Sequence, residues 1–298
     1  MSRHDGRTPL ELRSLALSQS VLSRQDGSAK FSFGNLSVLA SVTGPAEVRI
    51  RNELVDRAAF EINVLPLRGA VGTQTSFVSV RHEPTEPTST TGPPSKSQET
   101  LLLSLLTPII LLSLHPRSLI QLTIQTLTSP TTAFSKQFST DLSSTDLAAS
   151  TSSSAPRGTG TGASEKAAMI NAAMLALVDA AVECRGLVLA AAVAFVESEG
   201  EEVMVLDPTP REEDEASSTH LFAFSFGVGV GGVEGDCVGV DSVGSFSPES
   251  LFEAQDLAAE ASRGIMAFVR RSIESRYGAT PTAPKVEKVK APDEMQVE

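Results

Sequence analysis

Three carboxylates and one histidine ahead of an apolar run are the side chains with the clearest capacity for acid–base chemistry. Asp207, Asp214 and Glu215 precede the run, and His220 stands at its start. A carboxylate can bind a metal ion or a proton, and a histidine can transfer a proton near neutral pH. A solvent-exposed loop is the simpler interpretation of the three acids, and an isolated histidine beside a strand is usually structural. These residues alone therefore predict no catalytic centre.

The two cysteines offer no alternative chemistry. Cys184 and Cys237 each lie in an apolar segment, with no partner at the spacing that metal ligands need. We expect both to be reduced core residues in a reducing compartment. Neither a metal ion nor another cofactor is predicted.

The charge of the chain limits what it can bind alone. A net charge of −12 argues against a stand-alone protein that binds nucleic acid without sequence preference, because neutralising phosphates requires lysine and arginine. The acidic excess is uneven: residues 1–60 carry eight basic groups against six acidic ones, whereas residues 197–215 carry nine acidic groups against Arg211 alone. This distribution fits a subunit that shows one face to a nucleic acid and others to proteins.

The elements that would position these groups begin with strands. Short β-prone runs fill the first third of the chain: Leu15–Ser20, Lys30–Phe33, Ser37–Thr43, Glu47–Ile50 and Phe60–Leu65. Asp26-Gly27 and Gly34-Asn35 separate them as hairpin turns, where glycine supplies the positive φ that such turns require.

A helix and a strand follow in the middle of the chain. Ser95 and Gln98 predict a capped helix through about Leu106 that ends before Pro108. The apolar stretch 101–114 is too short to span a bilayer, so we expect a buried helix and no membrane partner. Because the N-terminus is polar and charged, we expect no signal peptide. The alternation in Ser118–Leu127 predicts a half-buried strand.

Two further helices are predicted in the second half. The alanine-rich segment Glu165–Cys184 is apolar on nearly every face, which indicates a helix packed on both sides, with Ser164 as its N-cap and Gly186 as its stop. Four strands follow: Leu187–Phe195, Val203–Leu206, Leu221–Val230 and Cys237–Val243, with a loop at 207–219. The last helix begins after Ser247 and continues to about Tyr277.

This order of elements predicts an α/β (α+β) fold, in which mixed β-sheets pack with helices and a long helix closes the chain. We expect a single domain over residues 1–278, because neither half looks self-sufficient. Two insertions, at about 82–97 and 128–164, are rich in proline or in serine and threonine, so they are predicted to be mobile. The tail 279–298 is predicted to be disordered.

Several of these stretches resemble the RNase PH-domain family. They include Arg3-His4-Asp5-Gly6-Arg7, Asp26-Gly27-Ser28-Ala29, Ile110–Arg117, the Asn171-Ala172-Ala173 helix and Leu206-Asp207-Pro208-Thr209. Together with the N-terminal block they cover most of the chain outside the insertions and the tail. The Asn-Ala-Ala helix and the Leu-Asp-Pro-Thr turn are fairly specific. The pattern is most similar to the eukaryotic exosome-ring branch that is close to bacterial RNase PH.

The resemblance implies a choice, because the family includes both phosphate-dependent exonucleases and subunits without catalytic activity. In active members a glycine-rich run with arginine or serine holds phosphate before the Asn-Ala-Ala helix, and an aspartate follows the acidic loop. Here the run 160–166 has no arginine after Thr161, and Glu165 places a negative charge in the first helical turn. Thr219 stands where the catalytic aspartate is expected.

We therefore expect no catalytic residue and a non-catalytic core subunit of the RNA exosome. It would support ring assembly and RNA threading in 3′–5′ RNA processing and decay, including ribosomal RNA processing. The alternative is an active phosphate-dependent 3′–5′ exoribonuclease that uses an unrecognised acid. The resemblance also implies that Arg68, Arg81 and Lys96 lie in loops that face the RNA path and contact RNA, although each could instead be an exposed solubilising charge. It further implies other ring subunits and RNA as partners, and a location in nucleus, nucleolus and cytoplasm.

Overall fold

Two β-sheets and four α-helices make up the part of the chain that the computed structural model describes, namely residue 3 and residues 5–65, 93–129, 162–198 and 201–278. The strands are β1 (Leu15–Gln19), β2 (Gly27–Phe33), β3 (Leu36–Glu47), β4 (Ala59–Leu65), β5 (Ser118–Thr128), β6 (Leu187–Ser198), β7 (Glu201–Leu206), β8 (Ala216–Gly227) and β9 (Gly232–Gly244). The helices are α1 (Pro93–Leu106), α2 (Ala163–Asp179), α3 (Pro210–Glu215) and α4 (Pro248–Tyr277). The predicted class, mixed sheets with helices and a long closing helix, is confirmed.

The first sheet has the strand order β1-β2-β3-β5-β4. Successive pairs are antiparallel from β1 to β5, and β4 joins β5 in parallel. The register places Phe31 opposite Leu17 on one side and Val38 on the other, so these apolar side chains share one face of the sheet. The strand predicted at Glu47–Ile50 is wrong, because β3 ends at Glu47 and a 3₁₀ turn occupies Ile50–Asn52.

The turn between β1 and β2 lies against the C-terminal end of α2. A Cβ on residue 27 would collide with the backbone nitrogen of Ala180, so glycine is needed for this close approach. Asp179 strengthens the contact, because its carboxylate accepts hydrogen bonds from the backbone N–H groups of Ser20 at 3.0 Å and Ser28 at 2.9 Å. The first hairpin is therefore fixed to α2.

The second sheet is antiparallel throughout, in the order β7-β6-β8-β9. β6 pairs with β8 from Leu187 onwards but with β7 only from Val193 onwards. At Ala190, which β7 does not reach, the side-chain amide of Asn171 takes the place of a strand. It donates to the Ala190 carbonyl at 3.0 Å and accepts from the Ala190 N–H at 2.8 Å. Both buried backbone groups are thereby satisfied.

Helix α2 packs against β2 and β3 of the first sheet and against β6 and β8 of the second. Its alanines at 172, 173 and 176 are fully buried, and their small side chains let both sheets approach closely. The predicted burial on both sides is confirmed. The predicted ends are wrong: Gly162, not Ser164, is the N-cap, and the helix ends at Asp179.

Helix α4 matches its prediction at both ends. The Ser247 hydroxyl accepts from the Ser250 N–H at 3.1 Å, Pro248 is the first helical residue, and Gly278 follows the last turn. One apolar face packs on β6, β8 and β9, with Ala258 and Ile265 fully buried. The signals for this helix are local, which explains why they suffice.

Other boundaries differ from the predictions. α1 begins at Pro93, so Ser95 lies inside the helix, although the predicted end before Pro108 is confirmed. The expected loop at 207–219 contains α3 and the start of β8. In the first predicted insertion, residues 93–97 lie in α1. In the second, residue 128 lies in β5 and residues 163 and 164 lie in α2, while residues 129 and 162 belong to no helix or strand. The rest of the insertions and the tail 279–298 lie outside the described residues.

Both cysteines are free, as predicted, and they pack against the main core, although neither is fully buried. Burial nevertheless raises the pKa of Cys184 to about 11, so its thiol stays protonated at neutral pH. Among the described helices, none combines the length and hydropathy needed to cross a membrane.

Candidate functional site

The start of α2, the end of β7 and the segment ahead of β1 meet at one place, and Asp207 lies at its centre. Asp207 is only 2% exposed and has a left-handed backbone, with φ of 49°, which aspartate tolerates better than most residues. Its backbone N–H donates to the Ala192 carbonyl at 2.8 Å. The expectation that Asp207 is a solvent-exposed loop residue is wrong. Asp214 and Glu215 are exposed, as expected, but they lie on α3.

Arg13 holds Asp207 through its backbone and its guanidinium. The Arg13 N–H donates to Oδ2 at 3.0 Å, Nε donates to Oδ2 at 2.7 Å, and Nη2 donates to Oδ1 at 2.5 Å. The Ser164 hydroxyl donates to Oδ1 at 2.8 Å and itself accepts from Arg13 Nη2. Burial disfavours the ionised carboxyl, but these bonds outweigh it and hold the pKa of Asp207 below its usual value. The pair is ionised at neutral pH.

A second buried arginine, Arg3, binds the same turn. Its Nε and Nη2 donate to the two carboxylate oxygens of Glu212 at 2.8 and 2.6 Å, a bidentate pair. The guanidinium also donates to the carbonyls of Leu206 at 2.8 Å and Asp207 at 3.0 Å. Glu212 in turn completes a capping box with Thr209 at the start of α3. Arg3 therefore joins the N-terminal segment to the turn after β7.

Glu213, the neighbour of Glu212 on α3, lies directly against the start of α2. Its Oε1 accepts from the Ser164 backbone N–H at 2.9 Å. A Cβ on residue 162 would collide with the other carboxylate oxygen, so glycine at the N-cap leaves the space that Glu213 fills. Burial raises the pKa of Glu213 to about 7, although the Ser164 N–H and Arg13 oppose the shift. Helix α2 is thus capped by a residue from another element.

Two more charged side chains surround the start of α2. The Glu165 carboxylate accepts from the Thr126 hydroxyl of β5 at 2.6 Å; burial raises its pKa, and this hydrogen bond opposes the shift. Lys166 donates to Asp241 of β9 at 2.7 Å, so its charge is already paired. Arg13 and Lys166, the two cations at this place, are each paired with an aspartate, Asp207 and Asp241 respectively.

Thr219 and His220 lie on β8. Thr219 is partly exposed, between Ala194 of β6 and Val243 of β9. His220 is fully buried, and its ring nitrogens contact the hydroxyls of Ser218 at 3.0 Å and Ser242 at 2.8 Å. Burial lowers its pKa. Because both nitrogens have partners, this geometry favours the structural interpretation of His220.

Of the three residues predicted to contact RNA, only Lys96 lies within the described part of the chain. Arg68 and Arg81 lie outside it. Lys96 is exposed and lies on α1, not in a loop as expected. Its contact with RNA stays a prediction.

Within the ranges that the structure describes, no group of three or more histidine, cysteine, aspartate or glutamate side chains is arranged to hold a metal ion. The buried carboxylates described above are instead held by arginine, hydroxyl and backbone N–H donors. In chemical terms the arrangement fixes three segments of the chain to one another.

Sequence reasoning did not identify Arg3, Arg13 and Ser164 as one cluster with Asp207. The available signal was weak: Arg3 and Arg13 both lie in a charged N-terminal segment that continues directly into a strand. Their partners are 209 and 194 positions away, so no local pattern links them.

Comparison with known proteins identifies the class. Residues 11–183 match the model of the RNase PH family, described as the 3′ exoribonuclease family, domain 1. The chain belongs to this family, and the resemblance predicted from its sequence is confirmed.

Among curated relatives, the Exosome complex component RRP46 of Saccharomyces cerevisiae is 28% identical over 85% of this chain and 92% of its own length. The Exosome complex exonuclease RRP46 homolog of Arabidopsis thaliana is 44% identical, over 24% of this chain and 30% of its own length. The Exosome complex component Rrp41 of Methanopyrus kandleri is 28% identical over 93% of each chain.

Solved structures agree on the fold. The crystal structure of rice (Oryza sativa) Rrp46 is similar with a TM-score of 0.62 and 25% identity, over 93% of this chain and 99% of the other. The Archaeoglobus fulgidus exosome with RNA bound to the active site has a TM-score of 0.58 at 15% identity, over 90% of this chain and 92% of the other. The second likeness concerns the fold alone.

Proposed function

We propose that this chain is a non-catalytic core subunit of the RNA exosome, which supports ring assembly and RNA threading in 3′–5′ RNA processing and decay, including that of ribosomal RNA. Support for the exosome assignment comes from its relatives, which are named exosome components, and from the family match over residues 11–183. The other ring subunits and RNA would be its partners.

The contacts at the start of α2 are the main support for the proposed absence of catalysis. Phosphorolysis needs inorganic phosphate as the nucleophile, and a helix N-terminus attracts it through free N–H groups. Here the Ser164 N–H is already bound by Glu213, and Glu165 adds a second carboxyl group. Thr219, at the position expected for the catalytic aspartate, cannot carry a negative charge.

The outer edge of the second sheet, formed by β9, supports assembly with another subunit. β9 is the outer strand of its sheet and carries exposed valines at 238, 240 and 243. An apolar edge strand of this length exposes unpaired backbone groups and tends to associate. Pairing with a neighbouring RNase PH-like domain would cover it.

One rival has specific support: the family is described as one of 3′ exoribonucleases. Incubation of the purified protein with end-labelled RNA, Mg²⁺ and inorganic phosphate separates the two. We expect no nucleoside diphosphates, with a reaction lacking phosphate as the blank. Phosphate-dependent release of nucleoside diphosphates would establish the rival.

Assembly is tested by native mass spectrometry of the tagged protein purified from its own cells. We expect a complex that contains several different RNase PH-domain chains. A stable assembly made only of copies of this chain would contradict the proposal.

A further inference from the structure

Strand β1 has one side on which its backbone groups are unpaired. It is the outer strand of the first sheet and pairs only with β2. At its end, the Ser20 N–H donates to the Ser28 carbonyl of β2 at 2.7 Å. Bonded and non-bonded residues alternate along an antiparallel pair, so the N–H and C=O groups of Leu15, Leu17 and Gln19 point away from β2. Within the described part of the chain, these groups have no hydrogen-bond partner.

The opposite edge of the same sheet is covered. Helix α1 packs on β4, and the Glu99 carboxylate of α1 accepts from the Val64 N–H of β4 at 3.2 Å. An uncovered strand edge tends to acquire a further strand, because its donors and acceptors are already spaced to pair with one. Of these two edges, only β1 is open to such pairing.

An open groove of about 630 Å³ lies between β1 and the last turns of α4. Leu17 of β1 and Phe268 of α4 are half-buried and pack against the core, so they give the groove an apolar part. Ser272, Arg271 and Arg276 line it from the helix side. A strand edge beside a helix is the arrangement that binds extended peptides, since the edge pairs with the peptide backbone and the groove accepts alternate side chains.

The charge of the groove is positive, although the chain as a whole has a net charge of −12. Both charged residues that line it are arginines. Arg276 lies 3.8 Å from Asp179, whose carboxylate also accepts from the first hairpin. Arg271 is exposed and forms no ion pair with a described residue. One guanidinium at the groove is therefore available to a carboxylate of a partner.

We propose that the groove between β1 and α4 binds an extended acidic segment of another protein, which joins β1 as an added strand and places a carboxylate against Arg271. The alternating donors and acceptors of β1 match a peptide backbone, whereas the repeated acceptors of a phosphodiester backbone do not. The groove lies on the first sheet, and the β9 edge assigned above to a ring neighbour lies on the second. The inference therefore does not depend on the proposed function.

The probe is a fluorescein-labelled octapeptide of alternating glutamate and valine, with an octapeptide of alternating lysine and valine as the charge control. Binding to the full chain is measured by fluorescence anisotropy. We expect the acidic peptide to bind roughly tenfold or more tightly than the basic one, as one charge-assisted contact would give. Equal affinities, or no binding of the acidic peptide, would overturn the inference.

Arg271→Glu and Arg270→Glu form a matched pair of variants. Both arginines are exposed and adjacent on α4, but Arg270 does not line the groove. Arg271→Glu should weaken binding of the acidic peptide roughly tenfold, whereas Arg270→Glu should change it by less than about twofold. Equal losses for the two variants would contradict a specific contact with Arg271.

Amide hydrogen exchange followed by NMR locates the peptide. On binding, the N–H groups of Leu17 and Gln19 should become protected, while that of Ser18, which points towards β2, should not change. Gln19→Pro removes one outward donor, a change that an edge strand tolerates, and should weaken binding. Circular dichroism checks its fold, and if it does not fold, the wild-type exchange pattern decides.

Other occupants of the groove give different patterns, and each would overturn the inference. Protection of Leu17 and Gln19 before peptide is added would mean that the chain fills its own groove. Such protection would depend on protein concentration for a second copy, but not for residues 279–298 of the same chain. Binding of a labelled oligouridylate that is lost in Arg271→Glu and leaves both amides unprotected would indicate a nucleic-acid site instead.

Discussion

Asp207 and Arg13 lie 194 positions apart in the sequence but form a buried ion pair with three direct hydrogen bonds. Breaking such a pair from one side leaves a buried charge without compensation. We expect Asp207→Asn to destabilise the protein by about 3–5 kcal/mol. Urea unfolding monitored by circular dichroism measures this.

Glu215→Gln provides the control for that change, because it removes an exposed carboxylate from the neighbouring helix and should alter stability by less than about 0.5 kcal/mol. Similar losses for both variants would mean that Asp207 has no special role.

The pKa of Glu213 predicts an unusual dependence of stability on pH. Its ordinary value is 4.5, and burial in the folded state raises it to about 7. Between these values the folded state binds the proton and the unfolded state does not, so stability from this group is present at low pH and is lost as pH rises to about 7.

Glu213→Gln should remove this contribution. Relative to the variant, the wild type should lose about 1–3 kcal/mol between pH 4.5 and 7.5. Chemical unfolding of both proteins across that range checks it. A constant difference between them would show that Glu213 titrates normally. Asp207 has the opposite effect on stability. Its pKa is lowered in the folded state, so the stability that it contributes is lost only as pH falls below about its ordinary value of 3.8.

At the scale of elements, α2 depends on specific contacts at its middle. Asn171 binds both backbone groups of Ala190, and its loss leaves two buried groups unpaired. We expect Asn171→Ala to cost about 2–5 kcal/mol. Differential scanning calorimetry is the measurement.

Ser262 of α4 is the matched control for Asn171. Its hydroxyl is buried and has no hydrogen-bond partner within the described ranges. Ser262→Ala should therefore leave stability unchanged or increase it, because the hydroxyl is removed from water on folding without gaining a hydrogen bond. A loss comparable to that of Asn171→Ala would contradict the argument.

The two glycines with opposite surroundings give a second comparison. Gly27 contacts the backbone of Ala180, so Gly27→Ala must push the first hairpin away from α2 and should destabilise by about 1–3 kcal/mol. Gly264 lies on an exposed face of α4 with open space around it, so Gly264→Ala should stabilise by about 0.5–1 kcal/mol. Thermal unfolding of both variants tests the sign of each effect.

These elements differ in how far the sequence predicts them. α4 carries its own start and stop, Ser247-Pro248 and Gly278, so its bounds follow from neighbouring residues. α2 has its cap supplied by Glu213, 49 positions away, and Ser164 is instead used to bind Asp207. Local signals therefore misplace its start, because the competing contact comes from tertiary structure.

At the scale of the whole molecule, the two-sheet architecture follows from alternation, turn glycines and the alanine-rich helix. The charged cluster around Asp207 does not follow, because its members come from three distant segments. Short insertions of helix such as α3 are also missed, since six residues give too little periodicity.

Restoring one charge should not restore an enzyme. We expect Thr219→Asp to show no phosphorolysis, because Glu213 and Glu165 still occupy the start of α2. Labelled RNA with phosphate and Mg²⁺ is the assay, and circular dichroism confirms that the variant is folded. Detectable nucleoside diphosphate from this variant would mean that phosphate reaches the glycine-rich run after all.

The position of α2 between both sheets bears on how the protein is made. Strands β1 to β3 leave the ribosome more than a hundred residues before α2, the helix on which their apolar face rests. The ion pair of Arg3 can form only later still, after Glu212 has been translated. During synthesis the early hairpins therefore expose an apolar surface. Chaperones that bind nascent chains should associate with this protein until its second half has emerged from the ribosome.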